Sequence, residues 1–362
     1  MTEFLKRGKF NMIVGAQAGS EAKGKLSAYL CEREDPILLV MTASPNAGHT
    51  AVIRGKKYVS YHLPIGSVAC DARIVLGPAS LINPDVLEKE IKALGIRPGR
   101  VILDERASII TLGHMSNEKK GHLVSIGSTL QGIGECRRGK MRRDRYHILA
   151  REYRDILQPM GVDVKPNVSG LINANLELDR KVLCEGTQGF DLDLEHGIDP
   201  IYCTSKMINP AMMMAEAGVP VSSAGEIWGV LRPYPIRVNN RAGTSGPYAE
   251  AEELTWGEVA NRCNAPGPLQ EITTTTKLPR RVFEFSWSRF RKFLNTCGPT
   301  RLCLQFGNYL DWRVYGKKDL GALPKAVNLF LSDLEDMSGI PVDLLGTGPE
   351  QDEMIELQVE AL

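Results

Sequence analysis

The chain has 362 residues, 43% of them hydrophobic and 24% charged, proportions that exclude wholesale disorder. Lys and Arg total 44 against 43 Asp and Glu, a formal net charge of +1, which argues against a dominant sequence-independent grip on nucleic acid. No apolar run is long enough for a membrane span, the start MTEFLKRGKF lacks the apolar core of a signal peptide, and none of the eight cysteines forms a CxxC pair, so a reducing, cytoplasmic setting is expected.

Asn11 to Gly15 is a short apolar run entering a small-residue loop. It predicts a strand, then a loop, then a helix through Lys25 to Arg33. A second strand is expected at Pro36 to Met41 and another at Arg73 to Leu76. Asn83-Pro84 then opens a helix to Leu94, with an acidic residue, Asp85, in its first turn, as a helix start prefers. Val101 to Asp104, Lys181 to Cys184 and Arg301 to Gln305 read as further strands, and 236–280, rich in Gly, Pro, Asn and Thr, as mobile loops. The alternation predicts an α/β fold with a mainly parallel central sheet flanked by helices, whose ligands collect at the carboxyl ends of the strands. With no clear linker, residues 1–362 are expected to form a single large domain.

Five segments carry candidate chemistry. Gly15 to Lys25 is rich in small residues and ends on two lysines, which suits phosphate at a helix start. The strict P-loop pattern fails there, because Lys25 is followed by Leu26, and a glycine-bearing turn with a solvated lysine pair is the plain alternative. His49, in Ser44-Pro45-Asn46-Ala47-Gly48-His49-Thr50, suits an acid or a phosphate donor, or a structural histidine. Gly127 to Gly134, followed by Arg137, Arg138, Lys140, Arg142 and Arg143, suits a monophosphate, or else a solvated helix face or a nucleic-acid patch. Glu185 to Gly189, with Asp191, Asp193, Glu195 and His196 behind it, suits a metal or a solvated acidic loop. Thr273 to Thr276 with Arg280 and Arg281 suits a carboxylate, or an edge strand.

The order of these segments resembles the adenylosuccinate synthetase family from end to end. The family's GQWGDEGKGK, NNAGHT, GTTGRGIGP, EGAQG, TTGRxRR, TKLD and STGP segments match GAQAGSEAKGK (15–25), SPNAGHT (44–50), GSTLQGIGE (127–135) with Arg143, EGTQG (185–189), TTKLPRR (275–281), QFGN (305–308) and GTGP (346–349). The resemblance implies a P-loop-like nucleotide-binding fold and a C–N ligase. A triphosphate phosphorylates the 6-oxygen of a purine monophosphate, and L-aspartate then displaces the phosphate. It implies Ser20, His49 and Gln188 as catalytic positions. Asn46, Ser128, Thr129, Arg143, Gln188 and Thr204 would hold the monophosphate with Ser20, Arg143 reaching across a homodimer. Gly19, Glu21, Lys23, Gly24, Lys25, Gly48, His49, Thr50, Asn308, Gly348 and Pro349 would hold the triphosphate. Thr274, Thr275, Thr276, Arg280 and Arg281 would bind aspartate, and Ser20 and the Gly48 carbonyl would meet Mg²⁺.

Three departures shift the expected substrates. Ser20 stands where the family has an aspartate that takes the purine N1 proton; serine is a poor base but relieves crowding against a 2-amino group. Leu278 replaces an arginine that reaches the ribose 2′-hydroxyl region. Asn308 and Phe306 replace the aspartate and lysine of TKLD, so an amide faces the triphosphate base and ATP or dATP is expected over GTP. The three together are expected of a phage-encoded branch of the family that joins dGMP to L-aspartate in host cytoplasm, with no nucleic-acid or membrane partner. The alternatives are an ordinary family member using IMP and an inactive nucleotide-binding homologue.

Overall fold

The computed structural model describes residues 3–239, 245–248, 250–273, 277–319 and 321–357. Among these, ten strands form one sheet: β1 (Phe10–Gly15), β2 (Leu38–Met41), β3 (Arg73–Leu76), β4 (Val101–Asp104), β5 (Val162–Lys165), β6 (Val182–Gly189), β7 (Ala224–Leu231), β8 (Arg301–Leu304), β9 (Val342–Gly346) and β10 (Met354–Glu356). Their spatial order is β10-β9-β8-β7-β1-β6-β2-β3-β4-β5. Only the edge pair β9–β10 is antiparallel; every other pairing in this sheet is parallel. The expected α/β class is therefore present.

β1 is buried at every position, as a central parallel strand covered on both faces must be. Its alternate side chains go to opposite faces. Phe10, Met12 and Val14 pack with Val168, Ile172, Phe290 and Leu331, whereas Ile13 packs with Leu26, Leu30 and Cys31. Helices thus cover both sides. Asn11 is the polar exception: its amide accepts from Lys6 N and Glu226 N and donates to Val182 O, pinning β1 to both neighbouring strands.

Local signals are obeyed closely where they are strong. The helix Pro84–Leu94 is capped by the Asn83 side chain accepting from Val86 N, has proline at its start, and ends on Gly95 at φ 66, the left-handed stop that glycine supplies at no steric cost. Segment 236–280 departs from the loop expectation. It contains strands Ile236–Arg237 and Glu253–Leu254, joined through Arg281–Phe283 into a small antiparallel sheet, and a helix Trp256–Arg262 opened by a Thr255/Glu258 capping box. Two- and three-residue strands paired across tens of residues carry no periodic signal. The Thr-Trp-Gly-Glu spacing was the one local cue to the helix.

Candidate active site

The chain leaves β1 at Gly15 beside Gly189, the carboxyl end of β6. Here the backbones crowd: a Cβ on Gly189 would lie 2.0 Å from the Gln17 carbonyl oxygen, and one on Gly15 would lie 2.6 Å from the Glu21 carboxylate. The following loop takes left-handed backbone at Gly19, Ser20 and Ala22 (φ 91, 61 and 63), at a cost of about 1–2 kcal/mol for each non-glycine. Its hydrogen bonds hold it there. Glu21 is fully buried, and its carboxylate accepts from Gln17 N, from Gly19 N at 2.8 Å and from Lys23 Nζ at 2.8 Å. Gln17 exchanges hydrogen bonds with the Arg232 backbone, and Arg232 Nη1 donates to Ser20 O. The helix that follows, Lys23–Glu34, starts with no side-chain cap; Lys25 N already donates to Ala22 O, and the amides ahead of it are the ones that suit an anion.

Lys25 turns away from the loop tip. Its ammonium donates to Gly348 O at 2.6 Å and Glu353 O at 2.8 Å, tying the Gly346–Pro349 turn to this helix. Burial lowers its pKa to about 8, because neutral carbonyls do not repay the desolvation of a charge. Gly24 lets the helix approach the 49–53 strand; a Cβ would lie 3.0 Å from Thr50 O.

His49 begins a hairpin strand, His49–Ile53, and is buried. Its Nδ1 lies 2.5 Å from Glu185 Oε1, within β6. A carboxylate on Nδ1 fixes the ring and leaves Nε2 for chemistry. Three buried polar atoms along the same stretch of β6 have no partner: Glu185 Oε2, Thr187 Oγ1 and Gln188 Nε2. Gln188 has φ 66. Asn46 reaches Thr204, with Nδ2 donating to Oγ1 at 3.5 Å, so two of the expected monophosphate residues meet although 158 positions apart.

Ser128 and Thr129 stay with their own loop: Ser128 Oγ accepts from Leu130 N, and Thr129 O from Gln131 Nε2. The start of the next helix, Ile133–Met141, is already occupied by the Glu118 carboxylate, which accepts from Gly132 N and Gly134 N. Any anion there meets side chains, not bare helix amides. Arg143 is exposed, at φ 56. The basic run is not a solvated face throughout, since Lys140 donates to Pro78 O and Arg106 O and Arg137 lies 3.9 Å from Glu216.

On the other side of β1, Arg281 forks onto Glu253 and donates to Gly246 O. Arg280 Nη1 donates to Glu271 at 2.7 Å, and its buried Nε has no partner. Thr274, Thr275 and Thr276 lie outside the described residues. Leu278 closes a turn with Thr273. Asn308 is buried in the short helix Gly307–Tyr309, next to Phe306, whose ring carries the Arg232 guanidinium at 4.1 Å. Sequence reasoning missed Arg232, Glu271 and Tyr309 altogether, and saw Glu185 only as a motif letter. The acidic run after β6 is not a metal cluster and is only partly solvated: Glu195 and His196 are exposed, whereas Asp191 and Asp193 are buried. Asp191 accepts from Tyr248 and Arg289, and Asp193 from backbone amides. Among the described residues no group of three or more His, Cys, Asp or Glu is placed to hold a metal.

Comparison with known proteins finds one family. The model of the family described as adenylosuccinate synthetase matches residues 12–159 and 147–313. N6-succino-2-amino-2′-deoxyadenylate synthase of Acinetobacter phage SH-Ab 15497 is 33% identical over 83% of this chain and 84% of its own. Adenylosuccinate synthetase of Thermococcus sibiricus is 32% identical over 96% and 98%. Among solved structures, cyanophage S-2L succinoaminodeoxyadenylate synthetase bound to dGMP and dATP superposes with a TM-score of 0.82 at 33% identity, covering 96% of this chain and 95% of that one.

Proposed function

The chain belongs to the adenylosuccinate synthetase family and is a C–N bond-forming ligase, and from that premise we propose that it joins L-aspartate to C6 of dGMP, using ATP or dATP. The observation that carries the reading is Ser20. It stands at the family's aspartate position, and the carboxylate beside it, Glu21, is drawn inward onto Lys23 and the loop amides. A neutral hydroxyl there suits a purine that bears a 2-amino group. The phage and cyanophage relatives, one of them solved with dGMP and dATP, support the same reading.

In this mechanism N1 of the purine gives its proton to water, the 6-oxygen attacks the γ-phosphorus and the nucleoside diphosphate leaves. The amine of aspartate then attacks C6, phosphate leaves and the new nitrogen loses one proton to solvent, giving 2-amino-2′-deoxy-N6-succinyladenylate. His49, oriented by Glu185, donates from Nε2 to the transferred phosphoryl group, where charge develops. Gln188 offers its unpaired amide nitrogen to the purine. Asn46, Ser128, Thr129 and Thr204, together with Arg143 of the partner subunit, hold the 5′-phosphate. Arg280 and Arg281 receive the amino-acid carboxylates. Leu278 accepts deoxyribose without asking for a 2′-hydroxyl, and Asn308 meets the adenine edge. The Ser20 hydroxyl and Gly48 carbonyl are neutral oxygen donors; that set fits a Mg²⁺ carried chiefly by the phosphates, whose charge the ion would neutralise.

The test is turnover of dGMP, GMP and IMP, each with ATP, dATP and GTP. Product from dGMP with ATP or dATP is expected. Robust use of IMP with GTP and none of dGMP overturns the proposal. Archaeal adenylosuccinate synthetases at 31–32% identity keep IMP as the second reading. Ser20→Asp separates the two, raising IMP use in that reading and impairing dGMP use in ours.

A further inference from the structure

Glu271 belongs to none of the motifs that locate the site, yet it stands where three of the site's loops meet. Its carboxylate accepts from both terminal nitrogens of Arg232, from Arg280 Nη1 at 2.7 Å and from the Tyr309 hydroxyl at 3.1 Å. Each donor leads to a different loop. Arg232 is wholly buried; it also donates to Ser20 O at 3.2 Å and exchanges backbone hydrogen bonds with Gln17, so it carries the loop after β1. Arg280 carries the amino-acid loop, and its backbone N donates to Glu271 O at 2.8 Å. Tyr309 carries the turn of Phe306 and Asn308, whose ring lies under the Arg232 guanidinium.

The bond to Arg280 has a directional consequence. Glu271 holds one terminal nitrogen, while the buried Nε keeps no partner. A guanidinium fixed on one side presents its remaining donors in one plane, as recognition of a carboxylate requires. Burial raises the Glu271 pKa, but the guanidiniums of Arg232 and Arg280 outweigh it and bring it to about 2. The carboxylate is thus charged throughout the neutral range.

Resting on the ligase reading above, we infer that Glu271 is a positioning residue that couples the amino-acid subsite to the triphosphate-base subsite. It orients Arg280 for the incoming carboxylate and, through Arg232 and Tyr309, sets the loops that receive the nucleotides. A change in one subsite is therefore felt in the other.

The experiment is steady-state kinetics of Glu271→Gln and Tyr309→Phe on the full chain, with melting curves to establish folding. Hydrogen bonds to charged groups of this kind are worth about a tenfold change or more. Glu271→Gln should raise KM for aspartate and KM for the triphosphate together, each about tenfold, with kcat per folded molecule falling less than about threefold. A merely structural residue would lower kcat with the folded fraction and leave both constants alone. Tyr309→Phe loses one hydroxyl and keeps the buried ion pair, so it decides the matter if Glu271→Gln does not fold. It should raise both constants about threefold. Both constants within about twofold of the unsubstituted chain, or a rise in one alone, overturns the inference. The ratios are measured with whichever purine monophosphate the unsubstituted chain turns over. Failure with dGMP but turnover of IMP therefore counts against the substrate reading alone.

Discussion

Two carboxylates on either side of β1, Glu185 fully buried and Glu271 largely so, show how differently this molecule treats its own polar groups. Glu271 is saturated, with four donors on its two oxygens. Glu185 spends one oxygen on His49, and the other has no partner. The contrast extends along each wall. Around Glu271 the nearby carboxylate Glu21 is also paired at both oxygens. Along β6 the Thr187 hydroxyl and the Gln188 amide nitrogen are left without partners beside Glu185. Buried polar groups are almost always paired. On one wall both carboxylates have therefore been satisfied by the fold itself, although Arg232 Nε and Arg280 Nε there lack partners; the other wall keeps an acceptor and donors that contribute nothing to folding. The first is a frame, and the second is where chemistry is expected.

The sharpest way to break this comparison is at His49. On the chemical wall, replacement should remove rate and leave the fold. His49→Asn keeps a side chain that can still pair with Glu185 but lacks the outward ring nitrogen. Turnover should fall by about 10²–10⁴-fold, with the melting temperature little changed. A large loss of stability with modest loss of rate would move His49 to the frame.

On the frame, acid should act through Glu271. Its folded pKa, about 2, lies below the ordinary 4.5. Between these values the unfolded chain binds the proton that the folded chain refuses, so the contribution is fully present above about pH 4.5 and is lost as pH falls toward 2. The size is on the order of 3 kcal/mol. Urea unfolding between pH 6 and pH 3 should show about 2 kcal/mol of that loss, and Glu271→Gln should flatten it. Equal slopes in the two proteins would mean that Glu271 is not the charge that holds the frame.

The same division explains what was legible in the sequence. Strands Arg73–Leu76 and Val101–Asp104 and the helix Pro84–Leu94 match their expected bounds, because unbroken apolar runs and an Asn-Pro start are local signals. Ser20, His49 and Gln188 stand out as candidates because each lies in a short loop or strand end rich in glycine, in an order shared with a family. The frame was not visible. Arg232 and Glu271 are 39 residues apart and Tyr309 is 38 further on; a buried pair at that separation leaves no spacing to read. Burial also reverses local impressions. Asp191 and Asp193 read as a solvated or metal-binding run, yet they close onto Tyr248, Arg289 and backbone amides. Lys25 reads as a phosphate lysine, yet its ammonium is held by two carbonyls.

The smallest effect is the most discriminating, because its sign differs between the walls. Thr187 lies within β6 and is 5% exposed, and its hydroxyl has no hydrogen-bond partner. A buried hydroxyl without a partner costs about 1–3 kcal/mol relative to water. Valine has the same branched shape, favours a strand as well as threonine does, and brings no polar atom. If β6 carries polar groups for ligands and not for folding, Thr187→Val should leave the free protein as stable as before or more stable, by up to about 1 kcal/mol in urea unfolding. The same change should raise KM for the purine monophosphate, by about two- to tenfold, since a hydrogen bond made only in the complex is removed. Destabilisation by more than about 1 kcal/mol would show that the hydroxyl supports the fold, and β6 would then join the frame. Stability gained and affinity lost together is an outcome that no member of the Arg232–Glu271–Arg280 ion pairs should give, because there removing one charge leaves another buried charge unpaired.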